Sequence, residues 1–148
     1  MTSWARFEDA EPALAATVRA AFEGRRHHTM ATLRADGSPR ISGIEVRLDD
    51  GELTFGSMPG ARKAADLRRD PRFALHSATT DPVEGREAEW PGEAKVSGRA
   101  VPRSSDDGAD HFAADIAEVT FTRLDPGATM LVVTWWTPEH GLHRTERA

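Results

Sequence analysis

Short runs of alternating apolar and polar residues, several of them bounded by Asp-Gly turns, leave this chain few ways to fold. HTMATLR (28–34) and ISGIEVRL (41–48) flank ADGSPR, whose Asp36-Gly37 pair signals a tight turn, and Asp49-Asp50-Gly51 turns the chain again into ELTFGS (52–57). Alternation on both sides of a turn pair marks antiparallel strands, so this stretch predicts three strands in a meander. The two-residue period returns in RFALHSA (72–78) and AKVSGRAV (94–101), with a polar, Pro- and Gly-containing loop over 79–93 between them. EVTFTRL and ATMLVVTWW predict a final hairpin around Asp125-Pro126-Gly127, and the tail TPEHGLHRTERA a short last strand.

Three segments carry a different period. In FEDAEPALAATVRAAFEG (7–24), Phe7, Leu14, Val18 and Phe22 fall on one helical face before Gly24. Pro12 belongs in the first turn, so the regular helix is expected to begin near Glu11. Ala61–Arg69 reads as a short helix that Pro71 closes. SSDDGADHFAADIA (104–117) opens with N-cap residues and sets His111, Phe112 and Ile116 on a partial stripe, predicting a helix before the last hairpin. Strands and helices do not alternate regularly, which excludes a Rossmann-type parallel sheet and gives an α+β, barrel-dominated single domain over 1–148.

With 148 residues, one core can form without a staple, and none is offered, because the chain has no cysteine. Thiolate catalysis and thiolate metal sites are thereby excluded, and a reducing compartment such as the cytoplasm is expected. No apolar run is long enough for a membrane span, and MTSWARFEDAEP lacks the features of a secretory signal. A net charge of -5 argues against nucleic acid as a partner. Lys63 and Lys95 are the only lysines beside 17 arginines.

The histidines suggest no metal site. His27 and His28 precede the first strand, His76 lies in the fourth, His111 in the expected helix, and His140 and His143 in the tail. None forms a metal-ligating pair. His76 is expected to be a satisfied inner-face or interface residue, and no Gly-x-Ser-x-Gly elbow of a serine hydrolase occurs.

The chemistry concentrates in Phe55-Gly56-Ser57-Met58-Pro59-Gly60-Ala61-Arg62-Lys63. A strand delivers a loop to a helix start, where unpaired N–H groups and the helix dipole favour an anion and two cations sit in the first turn. Arginine can grip phosphate with two parallel bonds, lysine adds a compact charge, and Ser57 can donate from the strand end. The same residues also read as a solvated basic turn, with Arg62 and Lys63 paired to Asp66 or Asp70.

From Met30 to Leu75, ATLRADGSPR, DDGELTFGS and GARKAADLRRDPRFAL together resemble the flavin-binding core of the pyridoxamine-5'-phosphate-oxidase-like family. The resemblance implies a split β-barrel of mainly antiparallel strands and an oxidoreductase that moves hydride or electrons to or from a small organic substrate. Its cofactor would be FMN or the deazaflavin coenzyme F-420. By position, Arg62 and Lys63 would hold the terminal phosphate and Ser57 the phosphate or ribityl chain. Ile44, Glu45 and Val46 would run beside the isoalloxazine ring, and Arg47 would be a further basic contact. Ala61 stands where serine is frequent in the family, which removes one hydrogen bond.

A homodimer with the cofactor in the crevice between subunits is also implied. Trp135 and Trp136, neighbours on a strand, face opposite sides, so one can enter the core and the other cap an interface. The tail WWTPEHGLHRTERA does not match the C-terminal segment of a true pyridoxamine-phosphate oxidase, which disfavours vitamin B6 oxidation. No catalytic side chain is singled out. The rival from another class is a split barrel that stores or senses a flavin or haem without turnover.

Overall fold

The computed structural model describes residues 1–148. Its N-terminal part is two helices: α1 (Trp4–Ala10), capped by the Ser3 hydroxyl, and α2 (Pro12–Glu23). Glu11 breaks them apart because a residue before proline is driven out of the helical region, and Pro12 then starts α2 at its first position. The sequence reading found α2 and missed α1, whose Trp4 and Phe7 are wholly buried.

Nine strands follow: β1 (His28–Leu33), β2 (Pro39–Ile44), β3 (Val46–Asp49), β4 (Glu52–Ser57), β5 (Arg72–His76), β6 (Glu93–Arg103), β7 (Asp110–Leu124), β8 (Leu131–Thr137) and β9 (Gly141–Arg147), with α3 (Arg62–Arg69) between β4 and β5. The α+β class and the strand-rich split barrel are as expected. The meander is not. ISGIEVRL divides at Glu45 into β2, which pairs with β1, and β3, which pairs with β4. The sheet order is β2-β1-β5-β6-β7-β4-β3, so β2 and β3 are its two ends, and the chain itself joins them as the sheet wraps. Ile44, Val46 and Leu48 keep one face inward through the break, which is why alternation alone does not reveal it.

A second correction concerns 104–117, expected as a helix. Residues 110–124 form β7, the longest strand, bonded to β6 along nearly its whole length. Its other edge is divided: Thr54–Ser57 of β4 take the first part and β8 the last, which is where the barrel splits. Alanines at 113, 114 and 117 favour a helix locally, but the long ladder to β6, with β4 on the other edge as far as Ala113, overrides that preference. The register slips between Ser97 and Gly98, where β7 has an extra residue; this bulge separates the inward set Phe112, Ala114, Ile116 from Val119 and Phe121. The N-terminus uses the bulge: the Thr2 N–H donates to Asp115 at 2.8 Å, and the Ile116 N–H to the Thr2 carbonyl at 2.9 Å.

One core of 23 buried residues joins α1, α2, α3 and the barrel interior, and Phe7 packs on Trp136 at a ring distance of 5.0 Å. Trp135, on the opposite face, stacks on His143 instead. His28 fastens three segments: its Nε2–H donates to the Phe22 carbonyl at 2.8 Å, while Nδ1 accepts from the Ala78 N–H at 2.9 Å. No helix is long and apolar enough to cross a membrane.

Candidate functional site

Where β2 hands over to β3, the end of α2, the β2–β3 junction, the end of β4 and the start of α3 enclose a cleft of about 990 Å³. That is the upper end of the roughly 300–1,000 Å³ common for small-molecule sites. Of the seven residues singled out in the sequence, Ile44, Glu45, Val46, Arg47, Ser57 and Lys63 line this cleft. The β2–β3 handover brings the first four to the wall, with Ile44 turned inward and Glu45 and Arg47 exposed.

Lys63 is half-buried, and its Nζ donates to the Gly43 carbonyl at 2.6 Å, which ties the start of α3 to β2. An ammonium has three donors, so two remain for a ligand. The Ser57 Oγ is buried and has no hydrogen-bond partner. A buried hydroxyl left unsatisfied costs about 1–3 kcal/mol, which makes it a natural contact for a ligand acceptor.

Arg62 is placed elsewhere. Successive helical residues do not face the same way, and Arg62 is exposed on a separate hollow of about 400 Å³ shared with Arg34, Arg40 and Arg69. Arg62 makes no hydrogen bond or ion pair in the chain. The alternative of a turn paired to Asp66 or Asp70 is not the arrangement present. Asp66 is taken by Arg40 at 2.7 Å and Arg69 at 2.9 Å, and Asp70 by Arg72 at 2.6 Å.

Burial alone pushes the Asp66 carboxyl up, but hydrogen bonds from Arg40, Thr32 and Arg69 outweigh it and hold the group below its ordinary range. The first two bonds are 2.7 Å each. Asp66 thus fastens α3 to the β1–β2 hairpin and sets the direction in which the helix start points.

Four residues of the cleft were missed in the sequence. Arg25, Arg26 and His27, at the end of α2, line it, and Arg26 and His27 lie 3.9 and 3.4 Å from Glu45. His111 also lines it, having been assigned to a helix that is a strand. Only the pairing of β7 with β4 brings His111 there, opposite Gly56.

Several solved structures share this fold. One is a pyridoxamine 5'-phosphate oxidase-related, FMN-binding protein from Nostoc punctiforme, 12% identical, covering 93% of this chain and 95% of that one at a TM-score of 0.64. Another is PhzG from Burkholderia lata, solved in complex with tetrahydrophenazine-1-carboxylic acid: 12% identical, 95% and 91% covered, TM-score 0.65. A third is a haem-binding protein from Mycobacterium smegmatis: 14% identical, 88% and 87% covered, TM-score 0.54. At these identities the likeness is one of fold. No curated protein matches the chain. The family model for pyridoxamine 5'-phosphate oxidase matches residues 14–144, from within α2 to within β9, and so takes in the cleft and the helix start beside it. With the split barrel and the match agreeing over nearly the whole chain, this protein belongs to the pyridoxamine 5'-phosphate oxidase family.

Proposed function

We propose that the chain is a flavin-dependent oxidoreductase that binds FMN, or the deazaflavin coenzyme F-420, in the β2–β3 cleft and transfers hydride or electrons to or from a small organic substrate. The observation that carries this reading is the unpartnered Ser57 hydroxyl on the same cleft as Lys63, at the start of α3. Those two groups suit a phosphate. For Arg62 to take part, its side chain would have to leave the hollow it shares with Arg34, Arg40 and Arg69 and turn toward the same group. The main chain of residues 44–46 would run beside a ring system, with Ile44 and Val46 turned to the core and Glu45 and Arg47 at the solvent side. When bound, the flavin ring supplies the electron and hydride chemistry; the chain orients it and excludes water. The FMN-binding relative supports the cofactor class.

Two copies are proposed to associate. The outer face of β2, β1, β5, β6 and β7 sets Thr29, Ala31, Ala74 and a 75%-exposed Ile41 among His76, Lys95 and Glu118. Light scattering that gives the mass of a single chain at micromolar concentration would refute this pairing.

The test of the cofactor reading is a titration of FMN and of F-420 against wild type, Arg62→Ala, Lys63→Ala and the double variant. A charge-assisted bond to phosphate is worth about 1.5–3 kcal/mol, so the double change is expected to weaken the preferred cofactor at least tenfold. Equal affinity in all four proteins would sink the proposal. A preparation that instead retained haem, with no flavin binding, would favour the rival reading of a binding protein without turnover, the ligand being that of the haem-binding relative.

Ser57→Ala gives a second, independent check. Because the hydroxyl is buried and unpartnered, its removal is expected to leave the melting temperature of the ligand-free protein unchanged or slightly raised, while FMN affinity falls several-fold. A loss of stability without a loss of affinity would assign Ser57 to the fold alone.

A further inference from the structure

On the β7 side of the cleft, His111 is built for a role that the reading above leaves open. It stands opposite Gly56 in the β4–β7 ladder, one step from the Ser57–Asp110 pair, and lines the cleft together with Ser57 and Lys63. Its Nε2 lies 3.2 and 3.1 Å from the two carboxylate oxygens of Asp107. Asp107 is itself pinned, by the Ser105 hydroxyl and by the Ala109 N–H at 2.9 Å. The Ser105 hydroxyl, the Ala109 N–H and His111 hold the Asp107 carboxyl down at about 2, so near neutral pH it is ionised and can only accept. Nε2 therefore carries a hydrogen, and the neutral ring keeps its lone pair on Nδ1. Nδ1 has no partner in the chain. Gly56 gives the ring its room: a Cβ there would lie 3.1 Å from Nδ1.

We propose that His111, oriented by Asp107, is a further phosphate-binding residue of this cleft and makes cofactor retention depend on pH. The inference rests on the cofactor reading given above. Protonation at Nδ1 turns a lone pair into a donor, so the imidazolium bridges the Asp107 carboxylate and a phosphate oxygen. Loss of that proton leaves a lone pair facing the same oxygen. The other charges nearby are engaged. Asp110 is bound by Arg68, and Arg103, the β6 register partner of His111, is bound by Glu52 at 2.6 Å. Across the cleft stand Lys63, its Nζ on the Gly43 carbonyl, Glu45 beside Arg26 and His27, and Arg47 beside Asp49. Glu23 is bound by Arg19, and Arg25 is the remaining cation.

The experiment is a set of FMN and riboflavin titrations between pH ~5.5 and ~8.5, the range in which histidine ordinarily changes charge, on wild type, His111→Gln and Asp107→Asn. Riboflavin lacks the phosphate. At the acid end wild type is expected to hold FMN about tenfold more tightly than His111→Gln, the worth of one charge-assisted bond, with the difference gone at the alkaline end. Riboflavin should bind all three proteins alike. A free phosphate monoester itself gains a proton near pH ~6, an equilibrium common to all three proteins, so the quantity read is the difference between wild type and His111→Gln.

In Asp107→Asn, ¹⁵N spectra of the ligand-free protein should show that the neutral His111 ring is no longer held in the Nε2–H form. A gap that stays constant with pH, or that is as large for riboflavin as for FMN, would overturn the role of His111. Failure of wild type to bind FMN at any pH would instead overturn the cofactor reading. In that event, adding inorganic phosphate should still move the His111 ring resonances, and unmoved resonances would overturn the anion contact as well.

Discussion

Gly98→Ala is expected to yield no stably folded protein. Gly98 sits at the register slip between β6 and β7, and a Cβ there would lie 2.0 Å from the backbone carbonyl oxygen of Asp115. The obstacle is main chain, bonded to β6 along one edge and strapped by Thr2, so no side-chain rotation can relieve it. Ordinary overpacking costs about 1–3 kcal/mol, and a clash this close with backbone should exceed that range. Asp115 and Ile116 also receive the N-terminal strap at Thr2, so a shift of β7 would release that too. Circular dichroism and thermal melting check the expectation. A cooperative transition within a few degrees of wild type would show that the bulge is looser than described.

Asp66→Asn is the second large effect. Asp66 is 3% exposed, and its carboxylate collects Arg40, Arg69 and Thr32, so the change leaves two guanidinium groups facing a neutral amide. Breaking a buried pair costs about 3–5 kcal/mol, and because Arg69 is half-exposed the lower end applies. A loss of about 3 kcal/mol corresponds to a melting temperature lower by roughly 10 °C in a chain of this size.

The effect should depend on pH in a fixed sense. The folded carboxyl ionises below its ordinary range, so its contribution is complete above the unfolded value of about 3.9 and fades as the pH falls through the folded value. Wild type and variant should therefore differ most at neutral pH and converge in acid. A gap that widened on acidification would contradict the assigned partners.

The parts of the fold and site that could be read in the sequence are those set by neighbouring residues. Asp36-Gly37 and Asp125-Pro126-Gly127 mark their hairpins because turn geometry demands such residues, and the loop from Ser57 to the first turn of α3 announces an anion-favouring helix start. What escaped depends on contacts distant in sequence. The division of ISGIEVRL at Glu45 keeps the side-chain period intact and changes only the strand on which each half pairs. The alanine-rich start of β7 resembles a helix until both its edges are bonded. That error removed His111 from consideration, since its place beside Gly56 exists only through β4–β7 pairing. The divergence of Arg62 from Lys63 is likewise invisible in an Arg-Lys pair and follows once helical rotation is applied to a real surface.

Glu45 joins the two ends of the wrapped sheet, and its neighbours Ile44 and Val46 bond to opposite ends of the strand order. This junction works as a buckle. Any breathing motion that loosens the barrel along its seam must pull on the peptide that forms the cleft wall, and a guest lodged there resists the motion. Amide hydrogen exchange at residues 43–47 should accordingly slow when the cleft is filled, so these few positions can report occupancy without any assay of turnover.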